Sequence, residues 1–344
     1  MTALLFVVIL VVLVVVHEFG HFIVAKWAGV RVDEFSVGFG PRLFGWQRGG
    51  TEYSFRLLLL GGFVRLYGME PGQEDTEDSF NRRPMIGRVL TIAAGPAMNF
   101  LLAIALFWVL FSAVGVQTYV PGPPRIGSLE AKMPAQLAGL RPGDELVAAN
   151  GHPLRSWNSL LQVVASADGH PIRFTVVRHH HRFTVSVAPK IDPRFGNVRH
   201  IGVLPMTQTQ RLPLLAGLAR GAGQTFSASS MLLTALVGPL THGQAPPVSG
   251  IVGIYGAVQQ AEAAGLQQVL LLAAVLSVNL GLINLVPFPP LDGERLVILA
   301  IEWVRGKRLD PQREAMVNSI GLMILLGLAV ILAYHDIVRM YGSM

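Results

Sequence analysis

His17, Glu18 and His21 are the residues whose types and spacing point most directly to chemistry, because they form H-E-x-x-H at the end of an apolar run. On a helix, residues four apart share a face, so both imidazoles can reach one ion. Glu18 then projects beside them, placed to take a proton from a metal-bound water. Zinc suits such a site: nitrogen and carboxylate ligands leave one position open for water, whose pKa falls to about 7. A five-residue pattern recurs by chance, but ionisable side chains at the end of an apolar helix are costly and mark function by default. The competing reading is a set of polar residues anchoring a helix end at the interface.

A third ligand is required. The chain has no cysteine, so it must be His, Asp or Glu. Asp292 is the expected donor. It ends the stretch Asn284-Leu-Val-Pro-Phe-Pro-Pro-Leu-Asp-Gly293, where Pro287, Pro289 and Pro290 forbid continuous helix and are expected to open the backbone into an extended stretch. The competing reading makes Asp292 the cap of a following helix. Asn284 has two readings of equal weight: a buried helix–helix hydrogen bonder, or a group facing the site that holds substrate backbone. Arg178-His-His-His-Arg182 reads as a solvated hairpin tip rather than a metal cluster. The acidic run Glu70, Glu74, Asp75, Glu77 and Asp78 reads as a solvated loop, since it lacks the spacing of a calcium loop.

The elements that position these residues are largely apolar. Of 344 residues, 51% are hydrophobic and 14% charged, and the excess is concentrated in four segments, about 3–25, 86–113, 266–287 and 317–338. Each approaches the ~20 apolar residues that cross a bilayer. The first lacks a charged start and a small-residue cleavage site, so it reads as a retained helix rather than a signal peptide. The net charge of +6 comes with no dense basic run, which argues against nucleic acid as a partner. The charges bear on orientation instead. Residues 26–88 carry nine Lys or Arg, and the loop after the third segment adds Arg295, Arg305, Lys307, Arg308 and Arg313. Those loops are placed in the cytoplasm, with both termini and 114–265 outside.

Between the first two helices, Gly29–Gly72 reads as β structure, with strands near 52–57 and 63–67 and a turn at Gly61-Gly62. Such a hairpin can dip into the bilayer where protein covers it. Gly61, Gly62 and Phe63 are candidate substrate contacts, since the 52–66 stretch offers an edge for strand addition. Gly95-Pro-Ala-Met-Asn99 suits a tight helix–helix contact, with Asn99 buried in it. Residues 116–205 have the composition of a soluble α+β domain, with a short helix at 134–139, a hairpin signal at Asn150-Gly151, a helix over 157–167 and a hairpin over 172–187. Residues 206–265 are mixed, with an amphipathic segment around 211–237. The expected divisions are 1–115, 116–205 and 206–344.

Taken in order, HEFGH at 17–21, VGFGP at 37–41, LLGGFVRL at 59–66, AAGPAMNF at 93–100, AGLRPGDELVAANG at 138–151 and NLVPFPPLDG at 284–293 resemble the bacterial form of the site-2 protease family of intramembrane zinc metalloproteases. The resemblance covers nearly the whole chain. It implies a polytopic α-helical membrane protein of about four transmembrane helices, with a membrane-associated β-hairpin and an inserted α+β PDZ-like domain. It implies His17, His21 and Asp292 as zinc ligands, Glu18 as general base, and Asn284 in catalysis or substrate handling. The implied substrates are single-pass membrane proteins, such as pre-trimmed anti-sigma factors or signal-peptide remnants. The implied location is the bacterial inner membrane, in contact with lipid, with the PDZ-like domain on the extracytoplasmic side. The sequence departs from the family where LDGG becomes Leu291-Asp-Gly-Glu294, and it carries one PDZ-like domain where some relatives carry two. The rival reading is an inactive PDZ-bearing scaffold that retains the zinc site, and the intact Glu18 argues against it. A transporter would need internal repeats, and none is found.

Overall fold

The apolar run that opens the chain forms one uninterrupted helix, α1 (Thr2–Trp27). At ~1.5 Å per residue it is long enough to cross the ~30 Å hydrocarbon core. The computed structural model describes residues 1–70, 72–73, 76–192, 198–241 and 250–342. Glu74 and Asp75 of the acidic run lie outside them.

After α1 come two long strands, β1 (Val32–Arg48) and β2 (Thr51–Leu66), joined at Gly49-Gly50, both with positive φ. The chain reverses at Gly49-Gly50 and again within β2, across residues 56–61, because 52–55 and 62–66 run in opposite directions on the two sides of 34–37. The expected turn lies just before Gly61-Gly62, and Gly62 itself already pairs with Val37. Each strand folds back on itself, so Ser36 pairs with both Ser54 and Phe63. Gly62 is needed for proximity rather than reversal, since a Cβ there would sit 2.7 Å from the Ser36 carbonyl oxygen. Glu34 is buried at the centre of this ribbon, accepting hydrogen bonds from Arg56 at 2.6 Å and Ser54 at 2.7 Å. Burial alone would push its carboxyl up, but those bonds outweigh it and hold it below the usual range. The second apolar helix, α2 (Met85–Val109), continues through one π turn, Leu110–Val114.

The chain divides into two compact units, Met1–Val114 with Leu212–Met344, and Gly115–Arg211. In the second unit the first and last strands, β3 (Val116–Tyr119) and β12 (Thr207–Gln210), pair with each other, so the insertion is closed at its base. Between them run β4 (Ile126–Leu129), α3 (Pro134–Leu137), β5 (Glu145–Ala149), β6 (His152–Pro153), α4 (Trp157–Ser166), β7 (Ile172–Arg178), β8 (His181–Val187), β9 (Lys190–Asp192), β10 (Val198–His200) and β11 (Val203–Pro205). The main sheet has the order β6-β5-β7-β8, and β11 pairs with β4. Asn150-Gly151 makes the β5–β6 turn, with φ of 49° and 83°. The β7–β8 hairpin turns at His179-His180, whose side chains are exposed, as is that of His181. A capping box between Ser156 and Ser159 starts α4. Ile126, Leu146, Leu160 and Phe174 centre its core.

The chain then forms α5 (Leu214–Thr241), α6 (Ile251–Ala264), α7 (Leu266–Asn284), α8 (Asp292–Arg305) and α9 (Pro311–Gly342). The amphipathic segment expected near 211–237 is the helix α5, displaced to Leu214–Thr241, and α6 has no counterpart in the sequence reading. Among the described residues, four helices are long and apolar enough to cross a membrane: Thr2–Trp27, Met85–Val114, Leu266–Asn284 and Gln312–Val338. Their outer faces keep large apolar side chains exposed, such as Val8 and Phe19 on α1 and Leu326 and Val330 on α9. Lipid suits such faces, and water does not.

Within Gly115–Arg211, Asp144 is fully buried and takes a two-toothed contact from Arg178, with Nε and one terminal nitrogen each at 2.7 Å. Arg178→Ala strands that carboxylate without its cation and is expected to lower stability by about 2–3 kcal/mol. Thermal unfolding of the purified chain should show it, with Arg178→Lys recovering only part of the loss because the forked contact is gone.

Candidate metal centre

His17 and His21 lie on the face of α1 that crosses α2, and both are buried. The helices touch backbone to backbone there. A Cβ on Gly20 would come 2.3 Å from the Ala94 carbonyl oxygen, and one on Gly95 would come 2.1 Å from His21 Nε2 and 2.9 Å from His17 Cε1. Only glycine at 95 leaves room for two imidazoles between the helices. Thr91, Gly95 and Asn99 recur at fours and so share that face of α2. The Thr91 carbonyl accepts from His21 Nδ1 at 2.9 Å, and the Asn99 amide lies 3.0 Å from His17 Nδ1. The sequence reading had placed Asn99 in a helix contact and missed this neighbour. The repeat at 91, 95 and 99 was its signal.

Asp292 arrives from the far end of the sequence. Its Oδ2 lies 3.1 Å from His17 Nε2 and 3.3 Å from His21 Nε2, and the two Nε2 atoms are 3.2 Å apart. The cap of α8 is Leu291, so Asp292 is the first helical residue and turns its side chain to the imidazoles instead of capping. The prolines end α7, as expected, but the chain reverses through hydrogen-bonded turns rather than an extended stretch. The Phe288 N–H donates to Val286 and the Leu291 N–H to Phe288, both at 2.8 Å. That compact reversal is what returns a carboxylate to α1.

These three donors fit a divalent metal. With ligand distances of about 2.0 Å, the edge of a coordination tetrahedron is about 3.3 Å. The observed triangle has edges of 3.1, 3.2 and 3.3 Å. Asp292 Oδ2 is buried and has no hydrogen-bond partner, which fits an oxygen directed at a cation. Burial pushes the Asp292 carboxyl up, but the two imidazoles more than offset it and hold it below the usual range. Among the described residues, these are the three whose ligand atoms cluster this way.

Glu18 borders a cavity of about 380 Å³ together with Phe63, Val64, Asn284, Asp292 and Arg295. Glu18 and Val64 line the same side of this cavity. Of the three candidate substrate contacts, Phe63 lines this cavity. Gly62 backs onto Glu18, where a Cβ would lie 3.4 Å from Cγ, and Gly61 faces the Phe39 ring. Asn284 lines the cavity while its Nδ2 donates to Leu280 of its own helix at 3.0 Å, so the bond it makes is not to another helix. Glu294, the departure after Asp292-Gly293, is buried in the first turn of α8. Burial raises its carboxyl, with Arg295 opposing and Glu314 adding to the rise.

Comparison with known proteins agrees with this geometry. The model of peptidase family M50 matches residues 5–328. The chain is 30% identical over 417 residues to zinc metalloprotease RasP of Geobacillus kaustophilus, covering 98% of this chain and 97% of that one. It is 30% identical over 423 residues to the regulator of sigma-W protease RasP of Bacillus subtilis, covering 99% of each. It also matches a solved PDZ domain of an SdrC-like protein from Listeria monocytogenes at 17% identity and a TM-score of 0.23, covering 26% of this chain and 94% of that one. The chain belongs to peptidase family M50, the site-2 protease family, and is a membrane protease.

Gly95→Ala forces a methyl group into both imidazoles. Metal content of the purified protein should fall from about one equivalent to near none. Gly87→Ala lies two turns earlier on α2, where a Cβ would meet its nearest atom at 3.5 Å. That variant should keep its metal.

Proposed function

We propose that this protease is a zinc-dependent endopeptidase that cleaves transmembrane segments of single-pass membrane proteins. The observation that carries this reading is the triangle of His17, His21 and Asp292 with Glu18 beside it on an open cavity. His17, His21 and Asp292 would hold the zinc. When bound, it supplies a Lewis acid that lowers the pKa of water and polarises a carbonyl. Glu18 takes the proton of the attacking water and passes it to the leaving amine.

A transmembrane helix hides its own backbone, so a substrate must unwind locally before attack. The outer edge of β2 supports this step. The Tyr67 N–H donates to Arg31, toward β1. Successive amides of a strand point to opposite sides, so the Val64 amide faces away from β1, and Val64 lines the cavity. An extended substrate stretch adding beside residues 62–66 would lie against the cavity, with Phe63 packing on it and Asn284 opposite. The name of the Bacillus subtilis relative, a regulator of sigma-W, supports anti-sigma factors as substrates, already trimmed outside the membrane. Signal-peptide remnants present the same chemistry, a short apolar helix with little attached. The charge pattern supports a bacterial inner-membrane location, with Gly115–Arg211 on the extracytoplasmic side.

Glu18→Gln should retain about one zinc and lose roughly 10²–10⁴-fold in cleavage of a fused transmembrane substrate in detergent. Retained cleavage would remove Glu18 as the base, and a wild type without zinc would remove the metalloprotease reading. Orientation has its own check, because the chain has no cysteine. In intact spheroplasts an impermeant maleimide should label His180→Cys at the exposed β7–β8 tip. It should label Lys307→Cys only after permeabilisation, and the reverse pattern would invert the topology.

A further inference from the structure

We infer that Asn99 is a positioning residue for zinc: its amide oxygen accepts the Nδ1–H of His17 and so holds the ring in the tautomer that offers Nε2 to the metal. The inference rests on the zinc reading above. Asn99 is fully buried on α2, and its amide lies 3.0 Å from His17 Nδ1. Its amide has two orientations of the same shape, and they have opposite consequences. With Nδ2 toward the ring, the amide donates to Nδ1. The ring proton then sits on Nε2, the atom that should face the metal, and Oδ1 is left buried with no partner. With Oδ1 toward the ring, the amide accepts Nδ1–H and Nε2 presents a lone pair.

His21 decides between them. Its Nδ1 lies 2.9 Å from the Thr91 carbonyl, which can only accept, so His21 carries its proton on Nδ1 and presents Nε2. The two Nε2 atoms are 3.2 Å apart and converge on the same Asp292 oxygen. Both can ligate one ion only if His17 has the same tautomer as His21, which places Oδ1 of Asn99 on its ring. Metal-binding histidines are generally held through the second ring nitrogen in this way, and loss of such a partner weakens metal binding 10- to 100-fold. A second bond fixes the residue from behind. The Ser277 hydroxyl of α7 donates to the Asn99 backbone oxygen at 2.7 Å. The side chain thus acts on the metal, and the backbone oxygen acts on packing. The two roles can be separated.

The test is zinc affinity of the purified full chain in detergent, by competition with a chelator of known affinity. Asn99→Leu should bind zinc 10- to 100-fold more weakly. Asn99→Asp, which also accepts the Nδ1–H, should restore affinity to within a few-fold of wild type. Ser277→Ala, which removes only the packing bond, should change it by less than about twofold. Should Asn99→Leu fail to fold, Asn99→Ser carries the same expectation, because its hydroxyl is too short to reach the ring. Wild-type affinity in Asn99→Leu overturns the inference, as does an equal loss in Ser277→Ala or no rescue by Asn99→Asp. Those failures leave the zinc reading intact, whereas a wild type that binds no zinc removes both.

Discussion

Two imidazoles and a carboxylate converge to within 3.3 Å of one another in a region built mostly from apolar helices, and they cannot stay there unpaired. Burying a carboxylate oxygen without a partner costs several kcal/mol, and two facing ring nitrogens gain nothing from each other. One cation, as proposed for this site, would resolve all three at once. The rest of the membrane unit can be understood as the scaffold that makes this convergence affordable to the fold. The scaffold starts with the crossing of α1 and α2, which is tight enough to trap the imidazoles and is set by glycine at 20 and 95. It continues through Arg88 of α2 and Glu302 of α8, a nearly buried pair at 2.9 Å that fixes α8 against α2. Arg295 and Glu314, at 3.0 Å, tie α8 to α9 in turn. Asp292 sits at the start of the helix that these pairs hold.

The second requirement is a place for substrate. Water-seeking backbone cannot be left open to lipid, so irregular or edge structure at membrane depth must be covered by protein or line a cavity. The folded-back ribbon of β1 and β2 meets this condition. Its interior carboxylate is satisfied internally, since Glu34 accepts from Arg56 and Ser54, and the Ser54 and Ser36 hydroxyls lie 2.9 Å apart. Its outer edge near Val64 borders the cavity that holds Glu18. An edge strand is ordinarily an aggregation hazard. In the proposed substrate mode the same unpaired groups would serve, because an unwound helix brings unpaired groups of its own.

Much of this was legible from residue types. The spacing of His17 and His21 on a helix, the absence of cysteine, and an aspartate after a run of prolines identified the three residues that the structure brings together. The errors have local causes. The glycine pair at 61 and 62 marks a turn in the sequence, and the reversal within β2 lies just before it, across 56–61. In a long strand that folds back on itself, however, glycine at 62 is required by the neighbouring Ser36 carbonyl, and sequence shows no such neighbour. Asn99 was invisible as a partner of His17 because its meaning depends on α1 lying opposite α2. The helices α5 and α6 are rich in small and polar residues, so their apolar periodicity is weak. They form because α2 and α7 offer surfaces to pack on.

The start of α8 shows how a functional demand displaces a structural habit. An aspartate at a helix start ordinarily bonds the exposed backbone amides of its own first turn. Asp292 sits one position too late for that and spends its carboxylate on His17 and His21, while Leu291 at the cap has no side-chain bond to give. The amides of the first turn remain, and with them the partial positive charge of the helix end. That charge favours the ionised form of the carboxylates beside it. An uncapped helix end therefore works in favour of this carboxylate: it helps to keep Asp292 anionic in a buried setting that would otherwise favour its protonation. A conventional capping residue at 291 would satisfy those amides and weaken that support. The missing cap and the misplaced aspartate are two sides of one arrangement.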